Sequence, residues 1–213
     1  MSDQPSKPKP KHFSMLRSYT PADFFTLGNA ACGTGAIFAC LNHLVESRDE
    51  RYLWWVFALL PVAFVLDSLD GFVARKTRRQ SLIGADLDSL ADVISFGVAP
   101  AVLGFTLGLR GGWDALVLIY FVACGVSRLA RFNVTAESLT DERGKVAYFE
   151  GTPIPTSLAL VFLLMAAHMT GSTNDTLWFG KIIIGPWTLH PLVLFYALSG
   201  SAMISATLRI PKP

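Results

Sequence analysis

Six stretches of this chain, at about 23–44, 53–75, 83–108, 114–133, 153–171 and 186–207, stay apolar over roughly the 20 residues that a bilayer-crossing helix requires. Such a chain is expected to be all-α, a polytopic membrane protein with six transmembrane helices. Composition agrees. Only 16% of the 213 residues are charged, against about 25% in soluble domains. A net charge of +2 is too small to point to nucleic acid, and no such partner is expected. Cys32, Cys40 and Cys124 fall in apolar runs without metal or redox spacing and read as small buried residues.

The spans divide the chain into a basic, disordered arm at 1–20, a six-helix domain at 21–208 and a short tail at 209–213. The arm alternates Lys with Pro and lacks the apolar core of a signal peptide; it reads either as a solvated tail or as a segment lying on an anionic leaflet. With the N-terminus placed in the cytoplasm, only Arg48, Arg51, Arg110 and Lys181 of the 18 Lys and Arg fall on the far side. By the positive-inside rule, both termini then face the cytoplasm, at an inner membrane. Trp54, Trp55, Trp113, Trp178 and Trp187 cluster near the outer boundaries, as an aromatic belt would. Gly28, Gly33, Gly35, Gly97 and Gly104 are expected to allow close helix contact. The stretch from Trp178 to His190 is expected to turn at the interface before the last span.

Within the second and third spans stand four aspartates, in the order Asp67-x2-Asp70-Gly71-x2-Ala74-Arg75-x8-Gly84-x3-Asp88-x3-Asp92. A carboxylate at mid-bilayer costs about 2.5–3.5 kcal/mol on insertion scales, so four in one hairpin call for a cation. Asp67 and Asp70 are i,i+3 and Asp88 and Asp92 are i,i+4, so each pair shares a helix face. A hairpin brings the two faces together into an all-oxygen site suited to Mg2+ or Mn2+. Asp67 lies about 12 Å along the helix from Arg75, which puts the site at headgroup depth, open to the cytoplasm. Asp86 points elsewhere and reads as a structural carboxylate.

The eight fixed residues of this pattern resemble, without a gap, the signature of the CDP-alcohol phosphatidyltransferases, D-x2-D-G-x2-A-R-x8-9-G-x3-D-x3-D. The resemblance implies a six-helix fold in which an alcohol displaces CMP from a CDP-linked lipid with the help of divalent metal, in the region of two ions. It implies that Asp67, Asp70 and Asp88 are metal ligands. Asp92 would be the general base and would also touch a metal. Gly71 and Ala74 would leave room for the CDP-diacylglycerol headgroup, Arg75 would fork onto its phosphate, and Gly84 would open the third helix. A homodimer in the lipid bilayer is also implied.

The motif does not name the acceptor. Ser95-Phe96-Gly97-Val98-Ala99-Pro100, Arg128-Leu129-Ala130-Arg131-Phe132-Asn133, Gly151-Thr152-Pro153-Ile154-Pro155 and Thr26-Leu27-Gly28-Asn29 are similar to segments of the membrane-integral bacterial phosphatidylserine synthases. That resemblance runs from about 21 to 160 and favours L-serine. Arg128 and Arg131 would meet the serine carboxylate, with Asn133 adding a polar contact; both arginines could equally be interfacial anchors. Ala22 and Thr152 depart from the pattern, which commonly has Asn and Leu there. Glycerol-3-phosphate, an inositol phosphate or choline remain alternative acceptors, and a cation transporter using the acidic cluster is a third reading.

Overall fold

Backbone groups inside a bilayer must satisfy one another within the chain, and helices do so locally. In the computed structural model, which describes residues 20–46, 49–77, 84–138, 148–205 and 209–211, helices dominate. In order they are α1 (Pro21–Val45), α2 (Glu50–Thr77), α3 (Gly84–Asp92), a π-helical segment (Val93–Val98), α4 (Ala99–Leu107), α5 (Gly112–Ser138), α6 (Leu158–Met169) and α7 (Leu194–Ile204). Four stretches are long and apolar enough to cross a membrane: Pro21–Val45, Glu50–Lys76, Gly84–Leu107 and Gly112–Val134. Two shorter apolar helices, Ile154–Met169 and Pro191–Ile204, complete the six expected segments. The protein is a polytopic helical membrane protein. Residues 1–19 of the basic arm, together with Arg78 and Arg79, lie outside the described residues.

The sixth segment needs a correction. It was expected from 186, but the helix begins only at Pro191. Residues Ile182–Ile184 (β2) and Trp187–Leu189 (β3) instead form an exposed antiparallel hairpin. Gly185, at φ +61°, and Pro186 make its turn; a left-handed glycine beside a proline suits a tight turn and not a span. The C-terminal tail also has structure: Arg209–Pro211 (β4) pairs antiparallel with Tyr148–Glu150 (β1), ahead of α6.

α3, the π segment and α4 run on as one rod through the middle of the bundle, and Phe96 and Leu103 on it are fully buried. Pro100 accounts for the wide turns before it. A proline has no N–H to give, and its ring crowds the carbonyl four residues back. Widening the preceding turn relieves that crowding, and Ala99 N–H reaches back to the Ile94 carbonyl, five residues away. The Pro100 carbonyl accepts the buried Tyr196 hydroxyl at 2.7 Å, which ties α7 to α4. Gly104 makes that contact possible, since a Cβ there would lie 2.8 Å from Tyr196 Oη. Phe121 on α5 meets the same ring edge-on, with centroids 5.2 Å apart.

α1 packs lengthwise on α2 and also reaches α3, the π segment and α4. Its closest approach is at Gly33, where a Cβ would stand 2.4 Å from Ser95 Oγ and 2.8 Å from Ser95 Cα. Of the other packing glycines, Gly28 is tight against Leu66 at 3.2 Å, whereas Gly35 and Gly97 make ordinary contacts. The opposite end of the bundle carries the tryptophans. Trp113 and Trp187 stack edge-on at 5.3 Å, and Trp113 Nε1 donates to the Ile184 carbonyl at 3.0 Å. There the wholly buried Asp114 accepts the backbone N–H groups of Gly111 and His190, each at 2.8 Å, and pairs with the His190 ring.

Candidate active site

The acidic hairpin is built as the two helix-face spacings require. α2 carries Asp67 and Asp70 one turn apart, and α3 carries Asp88 and Asp92. One carboxylate oxygen from each of Asp67, Asp70 and Asp88 lies within 4.8 Å of the others. Two unit charges at that range repel by on the order of 3 kcal/mol at an effective dielectric of 20. Asp70 is 7% exposed and the other two are half-buried, so water screens them poorly. Asp88 Oδ1 is buried with no hydrogen-bond partner among the described residues. An all-oxygen donor set with an orphaned buried carboxylate oxygen fits a hard divalent cation such as Mg2+ or Mn2+.

Asp92 stands outside that trio, at the end of α3 and 7% exposed. Its Oδ1 accepts Asn29 Nδ2 at 3.3 Å, and its carboxyl group also meets Asp67. Arg128 on α5 feels Asp92 as its charged neighbour, and its Nε is buried without a hydrogen-bond partner. Asn133 is engaged differently: it accepts the Ser89 hydroxyl at 3.1 Å and donates to Asp86 at 3.4 Å, tying α5 to α3. Arg131 is exposed on the same stretch of helix. Of the two arginines expected around serine, Arg128 is half-buried and Arg131 exposed.

A cleft of about 250 Å³ adjoins the trio. Gly71 and Ala74 of α2 and Gly84 at the head of α3 line one part of it, beside Asp70 and Asp88. A Cβ at Gly71 would meet only Arg75 Nη1, at 3.5 Å. The missing side chain therefore leaves open space with the guanidinium hanging over it, and among the described residues that guanidinium has no ion-pair partner.

The start of α1 lines the rest, through Thr20, Ala22, Asp23 and Thr26. The sequence reading did not single out two of these as site residues. Thr26 donates its hydroxyl to Asp70 Oδ2 at 2.8 Å. Asp23, 3% exposed, accepts the Thr20 backbone N–H at 2.6 Å and caps the helix. The available signal was the Thr20-x2-Asp23 capping pattern, which announces a helix start but no chemistry.

A family model described as CDP-alcohol phosphatidyltransferase matches residues 19–198. The chain belongs to that family. The match extends past 160, where the motif resemblance weakened, and takes in the helix at Ile154–Met169 and the first half of the one at Pro191–Ile204. A Saccharomyces cerevisiae protein named CDP-diacylglycerol–serine O-phosphatidyltransferase is 41% identical over 209 residues, covering 95% of this chain and 74% of its own length. Proteins of the same name from Methanocaldococcus jannaschii and Mycobacterium tuberculosis are 37% and 33% identical. Those matches cover 70% and 88% of this chain, and the chain spans 62% and 59% of the two relatives.

Proposed function

We infer that the protein transfers the phosphatidyl group of CDP-diacylglycerol to the hydroxyl of L-serine, forming phosphatidylserine and releasing CMP. The observation that carries the chemistry is the meeting of Asp67, Asp70 and Asp88 beside a cleft walled by Gly71, Ala74 and Gly84. The choice of serine is supported by the names of the relatives.

In this reading Asp67, Asp70 and Asp88 hold divalent metal, Mg2+ or Mn2+ and two ions in all, with Asp92 at the edge of the site. The metal, when bound, supplies positive charge that clamps the diphosphate and offsets the charge leaving with CMP. The remaining work falls to side chains. The glycine and alanine positions leave room for the nucleotide headgroup, and Arg75 forks onto its phosphates. The serine oxygen attacks the phosphorus that bears diacylglycerol, a new P–O bond forms, and the P–O bond to CMP breaks. Asp92 takes the proton from the serine hydroxyl. Arg128 meets the serine carboxylate, with Arg131 and Asn133 at the rim.

The orientation follows the distribution of Lys and Arg: active site and both termini on the cytoplasmic face of an inner membrane. The working unit is a homodimer in this reading, an expectation that rests on the family resemblance and is checked by mass measurement in nanodiscs.

The test offers CDP-diacylglycerol and Mg2+ or Mn2+ to the purified protein, with L-serine, glycerol-3-phosphate, inositol phosphate and choline in parallel. CMP release that depends on serine is the expected result. Release with another acceptor would retain the aspartates and discard the serine pocket; no release with any acceptor would return the acidic cluster to an ion-transport role.

A further inference from the structure

Asn29 sits in the middle of α1 with none of its surface exposed. Asparagine is a poor helix former, and in a buried apolar bundle its amide must find partners. The amide has found one and the backbone carbonyl of the same residue another, both on the rod formed by α3 and the π segment. Its Nδ2 donates to Asp92 Oδ1 at 3.3 Å, and its backbone carbonyl accepts the Ser95 hydroxyl at 2.9 Å. The amide orientation is set by chemistry, because the NH2 group and not the oxygen must face a carboxylate. One turn further along α1, Gly33 lets the π segment approach so closely that Ser95 can reach Asn29. One turn earlier, Thr26 donates to Asp70. Thr26 and Asn29 are i,i+3 and share a face, so α1 gives one donor to a carboxylate of α2 and one to a carboxylate of α3.

We propose that Asn29 is a positioning residue for Asp92, holding one carboxylate oxygen so that the other faces the acceptor hydroxyl. The proposal rests on the transferase reading above and adds a part to it. A carboxylate free to turn about its side-chain bonds would spend little time aligned with the acceptor, and misplacement on the scale of 1 Å costs about 100-fold in rate. Packing alone does not account for the residue. A leucine would fill the space without leaving Asn29 Oδ1 buried and unpartnered among the described residues. Ser95 acts one step back, by fixing the backbone that carries the amide.

The experiment compares wild type with Asn29→Leu and Ser95→Ala, as full-length protein in nanodiscs, by CMP release and by Mn2+ binding to the protein in the absence of substrate. Asn29→Leu is expected to lower kcat at least tenfold while KM for CDP-diacylglycerol and Mn2+ affinity stay within about threefold. Ser95→Ala is expected to move kcat in the same direction by less, again at constant KM; it touches no carboxylate and decides the matter if the leucine variant fails to fold. Wild-type kcat in either variant would overturn the proposal. So would a loss shared equally by kcat, KM and Mn2+ affinity, which is the mark of a merely structural residue. A wild-type protein that releases no CMP with any acceptor would bring down the transferase reading itself, and the proposal with it.

Discussion

Asp92 differs from its three companions in surroundings more than in type. Asp67, Asp70 and Asp88 crowd one point, whereas Asp92 is held from α1 and faced by the half-buried Arg128. Different losses are therefore expected. Asp92→Asn should lower turnover by about 100-fold or more while CDP-diacylglycerol still binds, because the trio is untouched. Asp67→Ala should lose both; parallel turnover and lipid-binding assays check the pair, and wild-type rates in Asp92→Asn would exclude the base assignment. Arg128→Ala removes a charge-assisted contact worth about 1.5–3 kcal/mol, so the KM for serine should rise by about 10- to 100-fold with the KM for CDP-diacylglycerol unchanged. The four aspartates were legible in the sequence because periodicity alone puts each pair on one face. Thr26, Asn29 and Ser95 stood in segments that carried the family resemblance, but what each of them bonds was not legible. A hydroxyl or amide in an apolar helix looks the same in sequence whether it packs, bonds its own backbone or reaches a neighbouring helix.

At the level of elements, six helices could be read from apolar length, but the form of the third could not. The π segment follows from Pro100, and its close fit against α1 at Gly33 depends on a partner helix. Gly33 and Gly35 look alike in sequence, yet a methyl group at Gly33 would collide with Ser95 backbone, whereas at Gly35 it would rest 3.4 Å from a leucine methyl. Gly33→Ala should therefore destabilise by about 1–3 kcal/mol and slow turnover by pushing α1 off the rod. Gly35→Ala should do neither, and thermal melting of the two variants side by side checks the difference. The turn expected over Trp178–His190 is a hairpin at 182–189, and only its second strand, Trp187–Leu189, had been counted into the last span. Extended residues at an interface carry the same hydropathy as helical ones in the bilayer, so length from a turn-forming Gly-Pro, not apolarity, was the discriminating signal.

For the molecule as a whole, orientation and metal are the properties to test. A cysteine at Lys76 should react with a membrane-impermeant maleimide only from the cytoplasmic side, and one at Lys181 only from the opposite side; labelling of intact and opened vesicles checks this. Chelation should abolish CMP release, and Mg2+ or Mn2+ should restore it. The cleft has a kinetic consequence as well. It is lined by residues of α1, α2 and α3 near the ends of spans. A diacylglycerol-bearing substrate can then enter while its tails stay among other lipids, arriving by diffusion in two dimensions, whereas a small polar acceptor arrives from water in three. The two substrates are thus counted in different units. Diluting the nucleotide lipid with inert lipid at constant total amount should slow the protein as if substrate had been removed, while the same increase in water volume should matter only to the acceptor.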